Sequence, residues 1–133
     1  MKILITGGCG FLGTNLSAHF LKLGCQVIII DALYRKGSSR NLAWLREIET
    51  KGELFFHQLD ISDIQQLNTI FKIYPNLDYV CHVAGQVAMT TSIENPRKDL
   101  MTNVVGSFNV LECIRKYSPN ALVAYSSTNK VYG

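Results

Sequence analysis

The sequence predicts an α/β fold: a doubly wound parallel sheet of five strands, in the order 3-2-1-4-5, forming one domain over residues 1–133. Three observations carry this. Short apolar runs that stop at glycine or an acid, Ile3-Leu4-Ile5 and Val27-Ile28-Ile29-Ile30 above all, read as strands buried on both faces. Helical patterns separate the runs, so the strands are parallel and joined by right-handed crossovers. The chemically distinctive residues gather at the carboxyl ends of the strands, with a switch point between strands one and four, where such a sheet holds its ligand.

Each element follows from its own pattern. Residues 3–5 form strand one and run into Thr6-Gly7-Gly8-Cys9-Gly10-Phe11-Leu12-Gly13. Leu12, Leu16, Phe20 and Leu23 share one face of the helix that follows, while Asn15, Ser17, His19 and Lys22 lie elsewhere. Gly24 ends that helix, and residues 27–30 are strand two, with Asp31 at its tip. After a polar loop over residues 32–40 comes a short amphipathic helix carrying Leu42, Leu45 and Ile48, with Trp44 as a packing residue. Residues 53–59 are strand three, ending at Asp60-Ile61. Ser62 and Gln65 form a capping box for a helix whose apolar stripe is Ile64, Leu67, Phe71 and Tyr74, and Pro75-Asn76 ends it. Residues 78–83 are strand four, followed by Ala84-Gly85 and then by a polar, aperiodic stretch over 86–95.

Pro96 suits the first turn of a long helix reaching about Tyr117. Leu100, Val104, Phe108 and Leu111 make one stripe on it; Met101, Val105, Val110, Ile114 and Tyr117 spread around the rest. A helix apolar on so many sides needs cover on two of them. The sheet supplies one, and a second copy of the chain is expected on the other, giving a homo-oligomer through the helix 96–117. Residues 118–120 turn the chain into strand five, 121–125, whose Tyr125 is expected to alternate into the core.

Bulk properties narrow the function classes. With 133 residues, 47% of them hydrophobic, the chain can bury a real core. A net charge of +3, scattered apart from Arg35, Lys36 and Arg40, argues against nucleic acid and against a membrane surface as partners. No apolar run is long enough to span a bilayer, and the amino terminus enters strand one directly, so no signal peptide is expected. Cys9, Cys25, Cys81 and Cys113 have no metal-type spacing; no metal is expected, and the thiols read as small buried residues of a cytoplasmic protein. Cys9, inside the glycine turn, is the one thiol considered open to oxidants.

The glycine turn carries the chemistry. Gly7 and Gly8 permit a bend that side chains would block, Gly10 lets the backbone approach a pyrophosphate, and Gly13 brings helix and strand close. The helix start offers free N–H groups and the positive end of its dipole. Asp31, at about the right distance along the chain, can accept hydrogen bonds from a ribose diol. Strand, turn, helix and acid together point to a dinucleotide. Asp31 favours NAD over NADP, because a carboxylate repels a 2′-phosphate; Arg35 and Lys36 read as a solvated loop. His82, at the end of a buried strand, reads as a satisfied core residue. His19 and His57 have no carboxylate or nucleophile partner, and Ser126 and Ser127 lack the glycine-flanked elbow of a hydrolase.

These motifs resemble those of the extended short-chain dehydrogenases/reductases, which include nucleotide-sugar epimerases and dehydratases. The likeness lies in Thr6-Gly7-x-x-Gly10-x-x-Gly13, Asp60-Ile61, His82-Val83-Ala84-Gly85, the run Asn103-Val104-Val105-Gly106-Ser107-Phe108-Asn109, and Tyr125-Ser126-Ser127-Thr128 with Val131-Tyr132-Gly133. Within the family, residues 86–92 and 127–133 look most like a 2-epimerase acting on a CDP-sugar. The resemblance implies a Rossmann fold and transient oxidation of a nucleotide-sugar carbon by bound NAD, which is then regenerated. It implies that backbone N–H groups of Phe11 and Leu12 cap the pyrophosphate, and that Asp60 and Ile61 flank adenine. It further implies that Ala84, Gly85, Gln86 and Val87 line the cofactor, that Asn103 supports the site from the long helix, and that the Thr128 hydroxyl bonds the reacting oxygen.

One family feature is missing. The family's base is a tyrosine with a lysine four places on, but Tyr34, Tyr74, Tyr79, Tyr117 and Tyr125 are followed by Ser38, Asp78, Val83, Ala121 and Asn129. The chain is therefore expected to be the amino-terminal, NAD-binding portion of an epimerase, inactive by itself, with the substrate domain absent. A dehydratase or reductase of the same family is the alternative enzyme. Its members carry acidic residues beside the threonine, where Asn129-Lys130 stands here. A non-catalytic NAD-binding module is the alternative from another class.

Overall fold

In a computed structural model, which describes residues 1–128, β1 (Lys2–Thr6) lies at the middle of a five-stranded sheet. The expectations for Asn129, Lys130, Val131, Tyr132 and Gly133 lie outside the described residues. β2 (Gln26–Asp31) and β4 (Tyr79–His82) flank β1, β3 (Glu53–Gln58) lies outside β2, and β5 (Leu122–Tyr125) lies outside β4. Every pairing is parallel, so the order is the predicted 3-2-1-4-5. Ile5 stands beside Ile29 on one side and Cys81 on the other.

Strand alternation divides the core in two. Leu4, Ile28, Ile30 and Val80 face a layer built on α3 (Ile64–Ile73) and α6 (Ser107–Tyr117), with Leu67, Phe71, Val110 and Ile114. Ile3, Ile5, Val27 and Ile29 face α1 (Phe11–Lys22) and α2 (Ser38–Glu47), through Ala18, Leu21, Leu42 and Leu45. The four apolar residues of β2 are wholly buried, each contributing on the order of 1.5–3 kcal/mol.

Several details depart from the sequence reading. The buried face of α1 is Gly13, Thr14, Ser17, Ala18 and Leu21; Leu12 and Leu23 are exposed, and Leu16 and Phe20 only border the core. Close approach of the helix to β1 selects small residues, and that requirement overrides the hydropathy stripe. The cap of α3 is Asp63, whose carboxylate accepts from the Gln65 and Gln66 N–H groups; Ser62 instead gives its hydroxyl to Asp60. The stretch read as aperiodic contains α4 (Met89–Glu94). The long helix is three segments: α5 (Pro96–Asp99), a π-helical segment Leu100–Gly106, and α6. Its Leu100, Val104, Phe108 and Leu111 stripe is exposed. Tyr125 is 56% exposed, because β5 is an edge strand with all four residues uncovered; its ring rests on that of His82, centroids 5.2 Å apart. No helix among the described residues is long and apolar enough to cross a membrane.

Candidate functional site

A cleft of ≈ 360 Å³ opens at the carboxyl edge of the sheet, across the β1–β4 switch point. Its floor is the turn between β1 and α1. Gly7 takes φ +69°, and a Cβ there would stand 2.7 Å from the Ala84 Cα. A Cβ on Gly13 would stand 2.1 Å from the Gly7 carbonyl oxygen and 2.7 Å from the Gly8 Cα. Both contacts are with backbone, which cannot rotate away, so these two glycines are steric requirements. The Gly10 N–H donates to the Gly7 carbonyl at 3.0 Å, and the Gly10 carbonyl receives the Thr14 N–H at 2.9 Å. No side chain caps α1 at Gly10, and its first turn has no acid. Gly10, Phe11, Leu12 and Gly13 therefore present an uncapped helix start to the cleft.

Asp31 ends β2 and lines the cleft beside the glycine turn. One carboxylate oxygen accepts the Cys9 N–H at 2.9 Å and the other the Leu33 N–H at 2.8 Å. Asn41 donates to the Cys9 carbonyl at 2.9 Å, so the Cys9 peptide is held from both sides. The Cys9 thiol is fully buried, and burial, with the Asp31 charge adding, pushes its pKa up to about 12. It is not the oxidant-sensitive thiol the sequence suggested, since reactivity needs the exposed thiolate. The four cysteines are all buried and free, and no cluster of metal-ligating side chains forms among the described residues.

Asp60 and Ile61 enter the cleft from the end of β3. The Asp60 carboxylate accepts the Ser62 N–H and hydroxyl, both at 2.8 Å, which fixes its orientation. Ile61 is buried, and Gly106 gives it room: a Cβ there would meet the Ile61 Cγ1 at 2.6 Å.

The other wall is Ala84, Gly85 and Gln86. Asn103 lies behind this wall. Its Oδ1 accepts the Gln86 N–H at 2.8 Å, and its Nδ2 donates to the Gln86 carbonyl at 3.2 Å and to Asp99 at 2.8 Å. Asn103, carried on the π-helical segment, thus holds the backbone of Gln86 through both its N–H and its carbonyl. Below, His82 is 1% exposed; its ring nitrogens meet the Thr6 and Ser107 hydroxyls, and burial lowers its pKa to about 4. It is a satisfied core residue. Ser126 lines the cleft and donates its N–H to the His82 carbonyl at 3.1 Å; Thr128, two residues on, is exposed.

Tyr34, Arg35, Ser38, Lys98 and Thr102 also line the cleft. The sequence marks none of these as a site residue: Arg35 reads as part of a solvated loop, and Tyr34 only as a tyrosine with Ser38, not lysine, four places on. A polar loop after an acid-tipped strand is where such residues belong, but which of them turn inward depends on the backbone.

Known proteins resemble the chain in sequence and in fold. The chain is 48% identical over 133 residues to CDP-paratose 2-epimerase of Salmonella typhi, covering all of this chain and 38% of that protein. It is 35% identical over 142 aligned residues to dTDP-glucose 4,6-dehydratase of Salmonella typhimurium, again with 38% of the relative covered. Among solved structures, UDP-glucose 4-epimerase of Bifidobacterium longum, in complex with NAD+ and UDP, superposes with a TM-score of 0.87 at 28% identity; all of this chain and 38% of that one are covered. The chain thus spans well under half the length of these relatives. The GDP-mannose 4,6 dehydratase family model matches residues 4–133, and the chain belongs to that family, the epimerase and dehydratase group that its motifs resemble.

Proposed function

We propose that this chain is the dinucleotide-binding part of a nucleotide-sugar epimerase, and that its dinucleotide is NAD. One observation carries the reading: an uncapped helix N-terminus and the carboxylate at the tip of the neighbouring strand, which is hydrogen-bonded to the glycine turn, line one cleft. Phosphates suit the first, where a helix dipole favours an anion by about 0.3–1 kcal/mol, and a ribose diol suits the second. The glycine cradle fits the group, since a Cβ at Gly7 or Gly13 would displace the backbone that forms it. Asp31 already accepts one N–H on each oxygen and keeps acceptor capacity for hydroxyls.

In this reading Gly10, Phe11, Leu12 and Gly13 hold the pyrophosphate, Asp31 the adenosine ribose, and Asp60 and Ile61 the adenine. Ala84, Gly85 and Gln86 line the nicotinamide half, with Asn103 keeping Gln86 in place. Thr128 donates its hydroxyl to the sugar oxygen. NAD, when bound, supplies the hydride acceptor for transient oxidation of a sugar carbon. A CDP-sugar is the proposed substrate, supported by the 48% identity to CDP-paratose 2-epimerase. The absence of a Tyr-x-x-x-Lys pair supports the further expectation that the 133 residues bind NAD without turnover. The exposed Leu100, Val104, Phe108 and Leu111 stripe supports association with a second copy.

Calorimetric titration of the chain with NAD and NADP tests the reading. NAD is expected to bind and to bind more tightly; equal or tighter NADP binding overturns it.

A further inference from the structure

Two cleft residues have no part in the reading above, and they touch each other. The Lys98 ammonium stands over the Tyr34 ring, 5.1 Å from its centroid. Tyr34 belongs to the segment that follows β2, and Lys98 to α5, beyond β4. β2 and β4 are the strands on either side of β1, so the contact joins the two walls of the cleft.

Each partner is aimed there by its own backbone. Leu33, next to Tyr34, has φ +57°, a left-handed conformation that a non-glycine residue rarely adopts. The Asp31 carboxylate, accepting the Leu33 N–H at 2.8 Å, holds it there. Tyr34 is 67% exposed, so burial does not explain the strain. The turn is followed by the Tyr34 ring, which lines the cleft. There the charge of Asp60 acts on the Tyr34 hydroxyl and raises its pKa. Lys98 is held from its own side. Asn95 caps α5 by accepting the Lys98 N–H at 3.0 Å, and Asp99 accepts from Ser92 at 3.0 Å and Asn103 at 2.8 Å.

We propose that Tyr34 and Lys98 form a closure across the mouth of the dinucleotide cleft, and that this pair sets how slowly the bound cofactor leaves. The proposal rests on the NAD reading above. It also agrees with the chemistry of a reaction that returns its cofactor to the starting redox state, since such an enzyme gains nothing by exchanging the cofactor each cycle. The two side chains are positioning residues, and neither touches a reacting atom.

The test is the release rate of NADH from the chain, chased with excess NAD and followed by fluorescence, for wild type, Y34L, K98M, Y34F and the Y34L/K98M double variant. Both side chains are exposed, and thermal melts check that each variant folds. Y34L and K98M should each speed release roughly two- to fivefold, the worth of an exposed cation–π contact. The double variant should release no faster than the faster single, because both remove one interaction. Y34F, which keeps the ring and loses only the hydroxyl near Asp60, should stay closer to wild type than to Y34L. Unchanged release in Y34L and K98M, effects that multiply in the double variant, or a Y34F rate equal to that of Y34L would overturn the closure while leaving the cofactor reading intact. If the wild-type chain binds neither NAD nor NADH, the cofactor reading itself falls, and the closure with it.

Discussion

Replacing Asp31 should damage the fold and the proposed cofactor choice together, and the two effects can be measured apart. Asp31→Ala removes two acceptors. The Leu33 N–H lies in a partly exposed loop, where water replaces the lost bond at little cost. The Cys9 N–H belongs to a residue with no exposed surface and has no such recourse. A hydrogen bond to a charged group is worth about 1.5–3 kcal/mol, so the expected loss is about 2 kcal/mol. With a urea m-value of roughly 2 kcal/mol/M for a chain of this size, the unfolding midpoint should fall by about 1 M. Asp31→Asn should lie between, because one amide oxygen must serve two N–H donors that now have two oxygens. Titration of the same variants with NAD and NADP reads the second role, and the preference for NAD should narrow in both. A midpoint unchanged in Asp31→Ala would refute the claim that this carboxylate holds the glycine turn. A midpoint lowered as expected with an unaltered cofactor preference would make Asp31 a structural clamp alone.

Gly13→Ala places its Cβ 2.1 Å from a backbone carbonyl and should cost about 1–3 kcal/mol or more in urea unfolding and abolish NAD binding; normal binding by calorimetry would contradict the cradle geometry. Asn103→Ala frees the Gln86 backbone and should weaken NAD roughly three- to tenfold, with Gln86 amide exchange rising; unchanged affinity would show that the wall needs no support. His82 has a folded pKa near 4 against 6.5 unfolded, so the unfolded chain takes up a proton first as pH falls. Its contribution is complete above pH 6.5 and is lost between 6.5 and 4, on the order of 3 kcal/mol in all, and His82→Gln should flatten urea stability across that window. The exposed stripe of Leu100, Val104, Phe108 and Leu111 should drive self-association, and Phe108→Glu should restore a monomer; a wild-type monomer at high concentration in sedimentation velocity would exclude it.

How far the molecule was legible in its sequence depends on the range of the interaction that places each residue. The central strands were legible because a parallel strand buried on both faces writes its burial into consecutive residues, as Val27 to Ile30 do. The glycine turn and Asp31 were legible because turn, helix start and strand tip are joined by one short crossover. α1 was misread for a reason inside the same unit. Its stripe of Leu12, Leu16, Phe20 and Leu23 is the more hydrophobic face, yet Gly13, Thr14, Ser17 and Ala18 face the sheet, because contact at that distance selects for smallness. Hydropathy ranks transfer from water and is silent on how near two backbones must come. Asn103 was expected to support the site, but its clamp on Gln86 depends on a π-helical segment that no periodicity announces.

The contact between Lys98 and Tyr34 lies at the far end of this scale. Nothing near Tyr34 in the chain signals a partner, and nothing near Lys98 signals a cleft. What brings them together is the strand order, which sets β2 and β4 on either side of β1, and the left-handed turn at Leu33. Residues that bind through backbone and local turns can therefore be read from a sequence. Residues that close a site from opposite walls become visible only when the topology is known, and it is among these that the differences between relatives sharing one glycine turn are to be sought.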